Sequence, residues 1–160
     1  MGFKDLELYL KEGREKETLF ADLFGGYTLS NKSQDIIEHW DVKIGNVKID
    51  IKGLKKVKRS DDSVNENIHW IEIKGITGHL GWLYGNADYF AFETVKYWVI
   101  VKKETLQEYI KEHTIKEWVK YPTINKLYNR NERKDVITLV STLDLFYISD
   151  SIIMKKNGKE

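Results

Sequence analysis

Between His39 and Lys52 two runs of strictly alternating polar and apolar residues flank the pair Gly45-Asn46, and no other stretch constrains the fold as tightly. Glycine accepts a positive φ at the first central position of a two-residue turn, so His39-Trp40-Asp41-Val42-Lys43-Ile44 and Val47-Lys48-Ile49-Asp50-Ile51-Lys52 are expected to pair as a hairpin. That register sets Val42 against Ile49, Asp41 against Asp50 and Trp40 against Ile51. One face is then wholly apolar (Trp40, Val42, Ile44, Val47, Ile49, Ile51) and suited to pack on a helix. The other carries His39, Asp41, Lys43, Lys48, Asp50 and Lys52, and a slip of one residue would bury the charges.

The same register brings two carboxylates together with Cβ atoms about 4.5–5.5 Å apart, which is unfavourable unless something compensates. A divalent cation would do so. Magnesium takes oxygen ligands, typically one or two carboxylates completed by water and substrate phosphate. Lys52, two residues along the same face, is placed to orient a water and to stabilise developing charge. With no cysteine in the chain, a metal must be held by oxygen or imidazole, which again favours a hard cation. The competing interpretation is an ordinary surface face of cross-strand ion pairs. Against it stand the like-charge pair, the Asp-x-Lys spacing, and seven basic residues against one acid between Lys43 and Arg59. Of these, Lys43, Lys48, Lys55, Lys56, Lys58 and Arg59 form a ridge suited to phosphate contacts.

The 160 residues, 41% of them apolar, suffice for a genuine core. The chain is expected to be one soluble, cytoplasmic α/β domain over 1–160, without a secretion signal or membrane span. Its net charge of +1 is not that of a sequence-independent nucleic-acid coat. Leu6, Tyr9, Leu10, Leu19, Phe20 and Leu23 predict an N-terminal helix over about 4–24, broken near Gly13 and ended by Gly25-Gly26. Strand patterning over 39–44, 47–52, 68–74, 88–93 and 96–101 predicts a mostly antiparallel or mixed five-stranded sheet within 39–101. A helix through Leu106, Tyr109 and Ile110 and a strand over 135–140 follow within 104–150, and the last six residues are expected to fray.

Asp41, followed after a short hairpin by Asp50-Ile51-Lys52, resembles the signature of the PD-(D/E)XK nuclease superfamily over roughly residues 17–101. Trp40 stands where the eponymous proline would be, and the second acid is Asp. The resemblance implies a restriction-endonuclease-like fold, with helices flanking the sheet, and a magnesium site, with manganese as substitute, formed by Asp41, Asp50 and the Ile51 carbonyl. It implies DNA phosphodiester hydrolysis assisted by Lys52. Among the Holliday-junction resolvases of that superfamily an acid from an N-terminal helix joins the site, which assigns Glu17. Junction or other branched DNA is the expected substrate, and a homodimer is expected by analogy. The run Trp70 to Lys74 followed by Gly81 to Tyr89 is similar to uncharacterised phage proteins, which implies function in a host cytoplasm. An alternative assignment makes Glu72-Ile73-Lys74 the acidic-x-Lys strand. If 68–74 pairs beside 47–52, Glu72 becomes an additional ligand or base. An alternative function is a non-catalytic DNA-binding or host-interaction protein on a nuclease scaffold.

Other residues are read more plainly. Asp88 is expected to be structural, Trp82 and Tyr84 to seal a core edge rather than stack on bases, and His39 to sit opposite Lys52. His69, His79 and His113 lack metal-ligand spacing.

Overall fold

The computed structural model describes residues 13–58, 60–130 and 133–156. Helix α1 is seen over 13–21, and its predicted beginning lies outside the described residues. There follow β1 (Thr28–Leu29), a π-helical turn at Gln34–Glu38, β2 (Val42–Ile44), β3 (Val47–Lys52) and β4 (Ile68–Lys74). A 3-10 turn at Trp82–Tyr84 leads to β5 (Tyr89–Glu93), β6 (Tyr97–Lys102) and α2 (Lys103–His113). The chain continues through β7 (Ile115–Trp118), β8 (Lys126–Leu127), β9 (Val136–Ser141), α3 (Thr142–Ile148) and β10 (Ser151–Met154).

The expected mixed α/β architecture is present, with six strands in the main sheet instead of five, in the order β1-β2-β3-β5-β6-β10. All its pairings are antiparallel except β3 with β5. The added strands are β1 and β10. β4 is not part of this sheet: it pairs antiparallel with β9 in a separate two-stranded layer. Side-chain pattern explains the exchange. In β5 and β6 both faces are apolar, with Phe90, Phe92, Val99 and Val101 on one side and Ala91, Trp98 and Ile100 on the other, as a strand covered on both faces requires. β4 alternates buried His69 and Ile71 with half-buried Trp70 and Glu72, the pattern of a covering layer.

The two faces of the main sheet carry two core clusters. Phe20 and Ala21 of α1 pack on Val42, Ile49, Ile51, Ala91, Trp98 and Ile100. On the opposite face Phe90, Phe92, Val99 and Val101 meet Leu106 and Ile110 of α2, Leu145 of α3, and Ile71 and Val140 of the covering layer. The hairpin face thus does dock on a helix through Val42, Ile49 and Ile51, but Trp40 belongs to the other cluster. The reason is local. His39 takes the left-handed conformation (φ 59°) at the end of the π-helical turn, and the strand proper starts only at Val42. The Asp41 N–H donates to the Ile49 carbonyl (2.9 Å), although Ile49 lies opposite Val42. The ladder is therefore irregular at Asp41, and alternation does not extend back to Trp40. At the turn, Gly45 has φ 59° as expected.

Candidate functional site

Asp41 is held by its backbone as well as its side chain. Its carbonyl accepts from Ser30 N–H (2.8 Å), and its Oδ2 accepts from the Ile51 N–H (2.7 Å). Asp50, in the middle of β3, faces away from α1 and is only 4% exposed; Asp41 is 5% exposed. The Asp50 Oδ1 lies 3.0 Å from Lys52 Nζ, while its Oδ2 is buried without a hydrogen-bond partner. Glu17 comes from α1, on the same helical face as Phe20 and Ala21, three and four residues further on. Its carboxylate pairs with Arg14 (2.8 Å), whose other terminal nitrogen donates to the Ser30 carbonyl (2.9 Å). Ser30 thereby links the strand-side acid to the helix-side acid.

Asp41 is a near enough neighbour of both other carboxyl groups for their charges to act on its own. Burial, then the neighbouring Asp50 charge and Glu17, push its carboxyl up to about 10 against the opposing pull of Lys52. Burial also raises Glu17, with Arg14 opposing. Three acids thus meet where Lys52 supplies one counter-charge and Arg14 another. Without a further cation the cluster holds a proton.

Lys52 is positioned from a second direction. Its Nζ lies 4.1 Å from the centroid of the Trp82 ring, and Trp82 packs against Phe90 and Phe92. The loop bearing Trp82 is brought in at Gly81, whose N–H donates to the Ile73 carbonyl (2.8 Å). A Cβ there would stand 2.4 Å from the Glu72 carbonyl oxygen, so only glycine permits the approach. Trp82 therefore does seal a core edge as expected, and in doing so it also clamps the lysine.

A cavity of about 620 Å³ opens between α1 and the end of β3. Glu17, Asp41, Ile51 and Lys52 line it together with Arg14, Lys16, Lys32 and Lys55. Asp50 lies behind it. The predicted basic ridge divides: Lys55 lines this cavity, whereas Lys43 and Lys48 face each other along the hairpin, Lys48 above the Trp40 ring. Lys56 is exposed, Lys58 lies over Tyr121, and Arg59 falls outside the described residues.

Glu72 does not join Asp50. With β4 paired to β9, its Oε1 receives the Trp82 N–H (3.4 Å), and Lys74 is exposed. The expected pairing of 68–74 beside 47–52 is therefore absent, because the loop over 53–67 carries the chain off the main sheet. His39 is turned against Gly85 instead of sitting opposite Lys52. Asp88 is structural, its Oδ2 accepting the Lys48 N–H (2.9 Å) at the start of β5.

One element escaped the sequence. Glu93, at the end of β5, accepts from Lys16 of α1 (2.5 Å), from Lys155 (2.8 Å) and from the Leu54 N–H (2.9 Å). A lone acid ending the apolar run Tyr89-Phe90-Ala91-Phe92 was the available signal.

Among the described residues, no three Asp, Glu or His side chains are disposed to hold a metal ion as they stand, and no helix is long and apolar enough to cross a membrane. The donors present still suit a hard cation: a buried carboxylate oxygen without a partner on Asp50 and a neighbouring acid driven to keep its proton. Comparison with family models, curated proteins and solved structures finds no match to this chain.

Proposed function

We propose that this protein is a magnesium-dependent endonuclease of the PD-(D/E)XK type, on a restriction-endonuclease-like fold, that hydrolyses DNA phosphodiester bonds, with junction or branched DNA as the substrate to try first. The observation that carries the proposal is the buried pair Asp41 and Asp50 with the half-buried Glu17 beside Lys52, short of positive charge, where Glu17, Asp41 and Lys52 reach the wall of a cavity with basic lining and Asp50 lies just behind it. Unsatisfied buried acids are costly, and they cluster where chemistry needs them.

Asp41 and Asp50, with the Ile51 carbonyl, would hold the ion, and Glu17 would reach it from α1. Bound there, magnesium would acidify a water and neutralise charge on a phosphate. The protein's own groups supply the rest. Lys52, clamped by Trp82, presents an ammonium to the attacking water or to the charge that develops on the phosphate. Lys32 and Lys55, which line the cavity without an ion-pair partner among the described residues, attract the polyanion to it. The Ile51 N–H and the Ser30 backbone hold Asp41 in place, so the acid need not reorganise.

Purified protein with magnesium or manganese is expected to cut four-way-junction, flap, single-stranded or duplex DNA, and Asp50→Asn to abolish the cutting. If all four substrates remain intact, the enzymatic proposal fails. A non-catalytic DNA-binding protein on the same scaffold is the second reading. It is favoured by Lys52 lying 3.0 Å from Asp50, which answers part of the acidic charge without a metal. Unchanged DNA binding by wild type and Asp50→Asn, with cleavage by neither, would select it.

A further inference from the structure

Beyond the acidic site, residues 114–130 form a flap whose composition the proposed chemistry does not use. β7 and β8 pair in parallel with an interrupted register, and the segment is anchored to β9 through bridges from Ile124 to Leu139 and from Tyr128 to Ile137. Its outer surface is aromatic and basic. Trp118 is 56% and Tyr121 70% exposed. Lys116 and Lys120 are exposed beside them, with no acidic partner among the described residues. Glu117, the one acid between 114 and 130, is neutralised by Lys126 (3.1 Å).

The flap is also joined to the site. Lys58, from the loop that follows β3, places its Nζ 5.6 Å from the Tyr121 ring, and the Tyr128 ring lies 6.4 Å from Trp70. Trp70 in turn lines a narrow cleft with Trp82, Lys52 and Lys55. Aromatic faces and ammonium groups therefore run from Lys52 to the flap.

We infer that the flap is a binding surface for unpaired DNA, stacking bases on Trp118 and Tyr121 and meeting phosphates with Lys58, Lys116 and Lys120. Exposed indole and phenol rings offer flat faces on which unpaired bases stack, and the unpaired cations around them select a polyanionic partner. In duplex DNA the base faces are already stacked on each other, so the surface discriminates in favour of single strands. Binding stands on this surface alone; its use as an arm that feeds a strand toward Lys52 rests on the nuclease reading.

The test is fluorescence anisotropy of a labelled oligothymidylate with the full-length protein in EDTA, where no cleavage occurs, against a blunt duplex of equal length. The single strand is expected to bind at least about fivefold more tightly, and Trp118→Ala and Tyr121→Ala each to weaken it by about five- to tenfold. Trp118→Phe should retain most of the affinity. Lys120→Ala should reduce the slope of log affinity against log salt by about 0.7, with circular dichroism unchanged. Equal or tighter duplex binding, or full affinity in both aromatic variants, overturns the inference. Binding without metal-dependent cleavage sinks the nuclease reading and leaves the flap. Cleavage by a protein whose flap variants bind normally does the reverse.

Discussion

Two buried acidic centres stand at opposite ends of the same design problem. Glu93 is surrounded by Lys16, Lys155 and the Leu54 N–H, so burial, which alone would raise its pKa, is outweighed and the carboxyl is held below its usual range. Asp41 and Asp50 share Lys52 and leave one oxygen unpartnered, and Asp41 is driven far up. A satisfied carboxylate needs nothing more and ties parts together: here α1, the chain after β3 and the C-terminal strand. An under-satisfied pair stores free energy that a cation can release. The contrast separates a structural acid from a functional one more sharply than burial does, since all three are buried.

The largest expected difference is in activity. Lys52→Ala should cut metal-dependent cleavage by about 10²- to 10³-fold, read as single-turnover rate on junction DNA, and in EDTA it should also lower stability in urea by about 2–4 kcal/mol, because the buried Asp50 loses its counter-charge. Comparable activity in the variant would place Lys52 with the structural residues. Next, Glu93→Gln should lower stability by about 2–3 kcal/mol, below the full cost of a broken buried pair because both lysines reach solvent. It should also weaken cleavage only as far as α1, and with it Glu17, shifts. Unchanged urea midpoints would remove Glu93 from its role as a tie.

The two centres should also respond to pH with opposite signs. Glu93, held low, contributes stability that is present above the ordinary glutamate range and lost as pH falls through its depressed folded value. Asp41, held high, binds a proton that the unfolded chain releases, so in EDTA stability falls as pH rises from the unfolded carboxylate range toward about 10. The slope for one such proton is up to about 1.4 kcal/mol per pH unit. In Asp41→Asn the slope should flatten; urea midpoints at pH 6, 7 and 8 read it, and an equal slope in the variant would contradict the assignment. His69, lowered to about 4 by burial, adds a loss of stability only as pH falls below its unfolded value of 6.5. The smallest effect is expected from Trp82→Leu, which removes the ring beneath Lys52 and should slow cleavage by about three- to tenfold.

Much of this was legible in the residues because it is local. The Gly45 turn, the helix-facing Val42, Ile49 and Ile51, and the nearness of Asp41 to Asp50 follow from a two-residue period read around one glycine. Glu17 was reached through resemblance, and the structure turns it inward because it shares a helical face with Phe20 and Ala21. What escaped was set by partners distant in sequence. Nothing in Ile68–Lys74 announces that it pairs with Val136–Ser141 rather than with β3, so Glu72 was expected at the wrong sheet. Trp40 was misplaced because alternation was extended through a strand start that His39 breaks. Ser151–Met154 is too short and too far from its partner in sequence to announce itself, yet it closes the sheet beside β6 and delivers Lys155, the first residue of the stretch expected to fray, to Glu93.

A crystal soaked in manganese, recorded at the metal's absorption edge, tests the central claim most directly. A peak in the anomalous density bonded to the Asp41 and Asp50 carboxylates, and missing in Asp50→Asn, is the predicted result. Density at other acids only, or none while DNA is still cut, would contradict it.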